Sequence, residues 1–410
     1  MEEVTITHLG RHGDGVADGP TYVPRALPGE IVKGLRKDDV LGDIRIVEPS
    51  QDRVSPPCRH FKACGGCNMQ HVSDPLVAQW KEGIVKTALE MNHLETTTRA
   101  ILTSPDRSRR RAKYAARRTK SGAMAGFHGR ASGTIVDIQD CPLVENGLQS
   151  APEVARALAE IGGSRKAELS VQCTVTLDGL DVAVEGGKPL DQTLIQTLPV
   201  AMTRFGMARL TWNGELVAQN AAPRHKIGSV DVILPPGAFL QATDHAEQML
   251  QACVVEALGN ATKVADLFAG CGTFALHLAQ TRPVYAVEGD EAMTRALQDA
   301  ANRSNLTYPV TSATCDLFRN PLYPDELKAF DAVVLDPPRA GAIAQVEQIA
   351  QAQVPVIAYV SCDPGSFVRD AAILVEAGYV LDWVQPIDQF RWSSHVELAA
   401  RLCLPHMLPA

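Results

Sequence analysis

The sequence lacks any long apolar run, since no stretch approaches the roughly 20 consecutive apolar residues that a membrane-spanning helix needs. Its first residues, MEEVTITHLG, are acidic and alternating, unlike the basic and then apolar pattern of a secretory leader. An excess of basic charge is also missing: the net charge of −8 excludes the strongly basic class of nucleic-acid binders for the chain as a whole. We therefore expect a cytoplasmic protein that does not enter a membrane.

Length and cysteine content narrow the class further. A chain of 410 residues with 45% hydrophobic residues is too long for one ordinary core and predicts two or three domains. Cytosolic thiols stay reduced, so the ten cysteines indicate metal or catalytic roles rather than a disulfide framework.

Three segments differ in local pattern. Residues 1–52 contain short strand-like pieces between glycine and proline turns, which predicts a small β-barrel. Residues 53–235 predict a β-rich central domain with an amphipathic helix at 75–92, which we expect to pack on the carboxyl-terminal part. In residues 236–410 strands alternate with helices, which predicts an α/β fold with a doubly wound, mostly parallel sheet.

A ligand site is indicated where the first strand of the α/β segment ends, in VADLFAGCGTF at 264–274. Gly270 and Gly272 let the backbone approach a ligand closely, but the third glycine of the G-x-G-x-x-G dinucleotide motif is missing. Glu288 ends the next strand, where a carboxylate can accept hydrogen bonds from both ribose hydroxyls. This combination favours S-adenosylmethionine over NAD.

Two later strand ends carry candidate reactive groups. FDAVVLDPPRAG places Asp336 at one strand tip, and VPVIAYVSCDP places Cys362 at the next. A thiol that faces a cofactor cleft is a candidate nucleophile, and a buried structural cysteine is the alternative. HVE supplies Glu397 as a candidate acid or base before an apolar run with a helical pattern, and the alternative is a carboxylate that helps to cap that helix.

These groups match the needs of methylation at carbon 5 of uracil, which is too weak a nucleophile to take a methyl group directly. Addition of a thiolate to carbon 6 creates an enolate whose carbon 5 can attack a methyl sulfonium. A base must then remove the proton at carbon 5 so that the thiolate can leave. The reaction therefore needs one thiol, one base and a group that reads the uracil edge.

Four cysteines form a second candidate site. Cys58, Cys64 and Cys67 follow the pattern C-x5-C-G-G-C, and Cys141 lies at a distance along the chain. Four thiolates suit an iron–sulfur cluster or zinc. Zinc sites more often have two C-x2-C pairs, and the absence of the second pair favours a structural 4Fe-4S cluster over zinc.

A basic stretch at residues 107–120, RSRRRAKYAARRTK, holds eight Lys or Arg and no acidic residue. A charge run of this kind is usually a solvated face. Its concentration within an acidic chain predicts instead an RNA track, in which Lys and Arg contact phosphates and interleaved aromatics such as Tyr114 stack on bases.

The ordered motifs C-x5-CGGC-x2-QH, Cys141-Pro142, FLQ, DLFAGCG, LDPPRAG, SCDP and HVE resemble the bacterial uridine-5-methyltransferases of large-subunit ribosomal RNA over nearly the whole chain. The resemblance implies a TRAM-like barrel, a central domain and a class I S-adenosylmethionine-dependent methyltransferase domain, with 23S ribosomal RNA as the partner. It implies Cys362 as nucleophile and Glu397 as the base, and a 4Fe-4S cluster on the four cysteines. The implied cofactor contacts are Gln241, Phe268, Thr273, Glu288, Asp316 and Asp336.

Some features depart from the family pattern or leave alternatives. Thr273 and Thr243 stand where asparagine is frequent, and Asp336 is implied to lie between cofactor and uracil. Transfer-RNA uridine-5-methyltransferases share the catalytic half but lack the barrel and the cluster, so the resemblance favours the ribosomal branch. A non-catalytic RNA-binding or assembly factor is a further alternative, against which the intact SCDP and HVE argue. We expect a monomer without an obligate protein partner, and a target uridine that is looped or flipped out.

Overall fold

The amino-terminal segment folds into a closed five-stranded barrel in the computed structural model, which describes residues 1–19 and 21–408. Alternating residues of these strands, such as Ile6, Val32 and Leu41, point inward and form its core. The small barrel predicted from the turn-punctuated strands is confirmed. Its strands are β1 (Glu2–Leu9), β2 (Gly15–Ala17), β3 (Thr21–Val23), β4 (Ile31–Lys37) and β5 (Val40–Glu48).

A long helix and two short strands follow the cysteine-rich loop. The helix is α1 (Asp74–Met91), and the strands are β6 (Thr97–Thr98) and β7 (Leu102–Thr103). The Ser73 side chain caps the helix by accepting the backbone N–H of Leu76, and Pro75 occupies the first turn, where no amide hydrogen is needed. Its buried face carries Val77, Trp80 and Val85.

The central segment builds a seven-stranded sheet with helices packed against it. The elements are β8 (Arg111–Arg118), β9 (Ala123–His128), β10 (Ile135–Asp137), α2 (Ala151–Gly162), β11 (Leu169–Thr176), β12 (Gly179–Glu185), α3 (Gln192–Arg204), β13 (Met207–Trp212) and β14 (Glu215–Gln219). The strand order is β10-β9-β8-β11-β12-β13-β14, and α2 packs against β8 and β9. Neighbouring strands are antiparallel except for β12 and β13.

The remaining residues form a two-stranded ribbon and then a large sheet flanked by helices. The ribbon is β15 (Arg224–Ile227) with β16 (Val230–Ile233). The later elements are α4 (Asp244–Leu258), β17 (Val264–Leu267), α5 (Ala275–Leu278), β18 (Val284–Glu288), α6 (Glu291–Arg303), β19 (Val310–Thr314), α7 (Pro324–Leu327), β20 (Ala332–Leu335), α8 (Ile343–Ala352), β21 (Val356–Ser361), α9 (Pro364–Glu376), β22 (Val380–Asp388) and β23 (Glu397–Cys403).

The large sheet has the order β19-β18-β17-β20-β21-β23-β22-β6, and β7 also pairs with β22. The strands from β19 to β21 are parallel, so the predicted doubly wound, mostly parallel α/β fold is confirmed. The helical interpretation of the run after HVE is wrong, because residues 397–403 form β23 between β21 and β22. Nearly every side chain of this strand is buried, and a strand covered on both faces needs a continuous apolar run that resembles a buried helix.

Helix α1 contacts α9 and β22. The division at residues 52 and 235 remains a prediction, and residues 74–103 accompany the carboxyl-terminal sheet through α1, β6 and β7. Among the residues that the structure describes, no helix has the length and apolar character to cross a membrane.

Candidate active site

The carboxyl ends of the parallel strands meet along one edge of the large sheet, at a cavity of about 510 Å³. Ligands of open α/β sheets bind at this edge, because the loops that leave the strands diverge there. Seven of the eight predicted catalytic and cofactor-binding residues line it: Phe268, Thr273, Glu288, Asp316, Asp336, Cys362 and Glu397. The eighth, Gln241, is fully buried and donates through Nε2 to Asp336 Oδ2 at 3.3 Å.

One end of the cavity is formed by the turn after β17 and the tip of β18. Phe268 and Gly270 adopt positive φ values of 64° and 57°, which turns the chain sharply out of the strand. Glu288 braces this turn, since its carboxylate accepts the backbone N–H groups of Gly270 and Asp290, each at 2.9 Å. The Phe318 ring lies 5.4 Å from the Phe268 ring. A carboxylate and aromatic rings at this end can hold the ribose and base of a nucleoside.

The other end contains the candidate nucleophile. Cys362 follows β21 directly and is half-buried, while Asp363 caps α9 by accepting two of its first backbone N–H groups. Burial first, and then the carboxylates of Glu397 and Asp336, raise the pKa of the Cys362 thiol to about 11, while the Arg339 cation acts in the opposite direction. The free protein therefore holds this sulfur as a thiol.

Glu397 is the first residue of β23 and is only 2% exposed. Burial raises the pKa of its carboxyl group well above the usual range, and the nearby Asp336 adds to the shift. For Asp336, burial and then the charge of Glu288 raise the pKa to about 7. Asp336 can therefore gain and lose a proton near neutral pH, and it shares the cavity with the second carboxyl group of Glu397, an arrangement that suits general acid–base chemistry.

The side chain of Gln389 joins these groups, and the sequence analysis missed it. Its Nε2 donates to Glu397 Oε2 and to Gln241 Oε1, the latter at 2.7 Å. The cavity therefore has a continuous chain of side chains from Glu397 through Gln389 and Gln241 to Asp336. Only the position of Gln389 just ahead of HVE, at the end of the buried run WVQPID, could have drawn attention to it.

Three arginines form the charged wall of the cavity: Arg109, Arg111 and Arg339. The Arg111 guanidinium lies 5.2 Å from the ring of Phe239, and Phe239 is 55% exposed. Positive charge beside an exposed ring suits a nucleotide, whose phosphate and base need both.

The predicted base-stacking role of Tyr114 is wrong. Its side chain is fully buried and stacks on Phe127 at 5.0 Å, within the core of the central sheet. Arg110 is likewise unavailable to RNA, because it is buried and its Nη2 donates to Glu247 at 2.6 Å. Tyr114 lies on the buried face of β8, Arg110 precedes the strand, and Lys113 and Arg118 remain exposed.

The four predicted metal-site cysteines line a second cavity of about 310 Å³: Cys58, Cys64, Cys67 and Cys141. Burial raises the pKa of Cys67 to about 12, with the three other sulfurs acting in the same direction and a hydrogen bond from the Gln70 side chain acting against them. Within residues 1–19 and 21–408, no three His, Cys, Asp or Glu side chains approach closely enough to hold one metal ion. Arg109 and Arg111 line this cavity as well as the larger one.

A doubly wound sheet with a glycine turn, a strand-end carboxylate and a cavity at its carboxyl edge defines a class I S-adenosylmethionine-dependent methyltransferase. Residues 229–356 match the methyltransferase small domain, and residues 325–403 match the tRNA (uracil-5-)-methyltransferase family. An uncharacterized RNA methyltransferase of Rhizobium meliloti is 43% identical over 97% of this chain and 98% of its own.

One similar protein has an assigned activity. The 23S rRNA (uracil(1939)-C(5))-methyltransferase RlmD of Halomonas elongata is 32% identical over 98% of this chain and 89% of its own. The chain therefore belongs to the RNA (uracil-5-)methyltransferase family, and it uses S-adenosylmethionine to methylate an RNA uridine at carbon 5.

The fold is shared with a solved structure, the Pyrococcus abyssi tRNA (uracil-54, C5)-methyltransferase in complex with S-adenosyl-L-homocysteine. It has a TM-score of 0.75 and 24% identity, and it covers 98% of this chain and 100% of its own. Because a tRNA enzyme matches this chain over nearly its full length, the presence of the barrel does not by itself distinguish the ribosomal branch.

Proposed function

We propose that this protein methylates carbon 5 of a uridine in 23S ribosomal RNA, with Cys362 as nucleophile and Glu397 as base. The observation that carries the proposal is that the thiol and the carboxyl group line the same cavity as the nucleoside-binding end. Bound S-adenosylmethionine would supply an electrophilic methyl group at that point. Glu288, Asp316, Phe268 and Thr273 are the proposed contacts to it.

Cys362 must lose its proton before it attacks carbon 6 of the uracil. The thiol proton passes to the Asp336 carboxylate, whose pKa is raised to about 7, and this removes a negative charge that opposes the thiolate, while the Arg339 cation favours it. Asp336, which accepts a hydrogen bond from Gln241, is the proposed reader of the polar edge of the uracil ring, and in its protonated form it can donate a hydrogen bond to the enolate oxygen. Water is excluded at this end because Glu397, Gln241 and Gln389 are buried.

Release of the product needs Glu397. After methylation, its carboxylate takes the proton from carbon 5, the electrons of that bond form the carbon 5–carbon 6 double bond, and the bond from carbon 6 to the Cys362 sulfur breaks. The raised pKa of Glu397 makes it a stronger base than an exposed carboxylate once it is ionised.

The roles of Cys362 as nucleophile and of Glu397 as base can be separated by trapping the covalent RNA–protein complex. We expect Cys362→Ala to form neither product nor covalent RNA–protein complex, and Glu397→Gln to accumulate the complex on a denaturing gel because release is blocked. The matched control is Cys253→Ala, since Cys253 is buried in α4 away from the cavity and should keep wild-type turnover. Normal turnover by Glu397→Gln would reject Glu397 as the base.

Large-subunit ribosomal RNA is the proposed substrate because the Halomonas elongata relative of that activity matches both the barrel and the catalytic part. We propose that the barrel of residues 1–52 and the exposed basic side chains of the central segment 53–235 bind RNA, while residues 236–410 carry out catalysis. The alternative is a transfer RNA. A competition between unmodified 23S ribosomal RNA and unmodified tRNA in one reaction decides, and methylation of tRNA alone would overturn the ribosomal assignment.

We further propose that Cys58, Cys64, Cys67 and Cys141 hold a 4Fe-4S cluster. The four thiols surround one cavity, and a cluster of four irons spaces its thiolates more widely than a single zinc ion, whose Zn–S bonds are about 2.3 Å long. Its contribution would be structural, because it would join the loop at 58–67 to the end of the central sheet. Anaerobic purification followed by iron, sulfide and zinc analysis tests this, and zinc without iron would refute the cluster.

A further inference from the structure

The buried side chain of Gln389 has no part in the proposed reaction steps, yet it contacts the proposed base directly. It lies just after β22 and is 2% exposed. Its Nε2 has two acceptors, Glu397 Oε2 and Gln241 Oε1. A buried amide with all of its polar contacts inside the active site constrains the groups that it touches.

The backbone fixes which way this amide points. The N–H of Ala242 donates to Gln389 Oε1 at 2.7 Å, so the opposite side of the amide must be the NH₂ group. Reversal of the amide would place that NH₂ group against a backbone donor and leave an oxygen facing the Glu397 carboxyl group. Gln389 is therefore held as a donor toward Glu397.

The segment that carries Gln389 is itself anchored. Asp388 Oδ1 accepts the backbone N–H of Phe390 at 3.0 Å and lies 2.6 Å from Lys81 Nζ, and this ammonium group also donates to the Phe390 carbonyl at 3.1 Å. Lys81 belongs to α1, so a long helix from another part of the chain fixes the residues on either side of Gln389. The amide has little freedom to follow a moving partner.

We propose that Gln389 is a positioning residue that occupies Oε2 of Glu397 and leaves Oε1 as the oxygen that takes the proton from carbon 5 of the methylated uracil. This inference rests on the proposed role of Glu397 as base. In that step the proton passes from carbon 5 to Oε1, the carbon–hydrogen electrons form the ring double bond, and the sulfur of Cys362 leaves with the electrons of its bond to carbon 6. Without the amide, the carboxylate rotates and presents neither oxygen reliably.

The substitution Gln389→Met tests the proposal, because it keeps the length of the side chain and removes the donor. In a single-turnover reaction of the whole enzyme with RNA and S-adenosylmethionine, we expect the covalent complex to form within about threefold of the wild-type rate. Its decay to product should slow roughly 10- to 100-fold, which is the range for loss of a hydrogen bond to a charged group. The matched control is Gln385→Met, since Gln385 is also buried on β22 but donates to the carbonyls of Ala100 and Pro386.

Wild-type decay of the complex in Gln389→Met would overturn the proposal, as would an equal slowing in Gln385→Met. The substitution Gln389→Glu offers a second form of the test, because it preserves size and the acceptor for Ala242, and wild-type release by this folded variant would also overturn it. Gln241→Met breaks the link to Asp336 and should slow formation of the complex. If it slows release as much as Gln389→Met does, the effect passes through Gln241 and not through Glu397.

The failure of this inference can be distinguished from failure of the proposed reaction. Glu397→Gln must trap the complex if Glu397 is the base at all. Trapping by Glu397→Gln together with normal release by Gln389→Met would refute only the role of Gln389. Normal release by Glu397→Gln would refute the base itself.

Discussion

The buried ion pair between Lys81 and Asp388 allows a prediction about stability, because the burial of both side chains determines how much unfolding free energy is lost when one partner is removed. The two side chains are 0% and 2% exposed, and their charged atoms lie 2.6 Å apart. The substitution Lys81→Met keeps the aliphatic stem but leaves the carboxylate of Asp388 buried without its cation. Removal of one partner of such a pair costs about 3–5 kcal/mol, so we expect the free energy of unfolding to fall by that amount.

Urea unfolding followed by tryptophan fluorescence measures this change, since two of the four tryptophans, Trp80 of α1 and Trp392, are buried in one core cluster. Lys86→Met is the matched control, because its ammonium group is exposed and lies 3.7 Å from Glu82, and its loss should cost less than about 0.5 kcal/mol. The double variant Lys81→Met/Asp388→Asn removes the stranded charge and should recover part of the loss. Wild-type stability of Lys81→Met, or a double variant no more stable than the single one, would refute the reasoning.

Two further predictions concern the cysteine cavity and the acid stability of the fold. A Cβ on Gly65 would meet the His128 carbonyl oxygen at 2.9 Å, so we expect anaerobically purified Gly65→Ala to lose its iron. The space around Gly133 is open, so the control Gly133→Ala should keep its iron. Equal iron contents in the two variants would contradict the prediction. Burial lowers the pKa of His225 to about 3, below its unfolded value of about 6.5, so its contribution to stability is complete above pH 6.5 and is lost as the pH falls toward 3. Between pH 7 and pH 5 the loss of unfolding free energy is roughly 2 kcal/mol. Urea titrations at the two pH values should show this loss in the wild-type protein but not in His225→Asn. Equal losses in both proteins would contradict the assignment to His225.

The strand-end residues of the candidate site could be predicted from the sequence, because their grouping does not depend on which strands are neighbours in space. Glu288, Asp336 and Cys362 each end a parallel strand, and such ends share one edge of the sheet whatever the exact strand order. Gln389 could not be found in this way. Its partner Gln241 lies 148 residues earlier, and only the folded chain brings the two amides together.

The wrong predictions have a common physical cause, because a local sequence pattern does not show which distant part of the chain packs against a segment. The run after HVE is apolar because β23 is covered on both faces by other parts of the protein, and periodicity alone does not separate such a strand from a helix. The basic stretch contains Arg110, which is neutralised by Glu247 at a separation of 137 residues. Only knowledge of that distant carboxylate could have shown that Arg110 is not a surface residue.

Arg109 and Arg111 border the chamber of the four cysteines as well as the catalytic chamber, so a single extended segment is the partition between them. Arg109 also reaches the catalytic side through the Phe390 ring, 5.6 Å away. Oxidation of these cysteines would therefore disturb a segment that also lines the catalytic cavity. We therefore expect exposure to oxygen to lower the affinity of the protein for RNA while the protein remains folded.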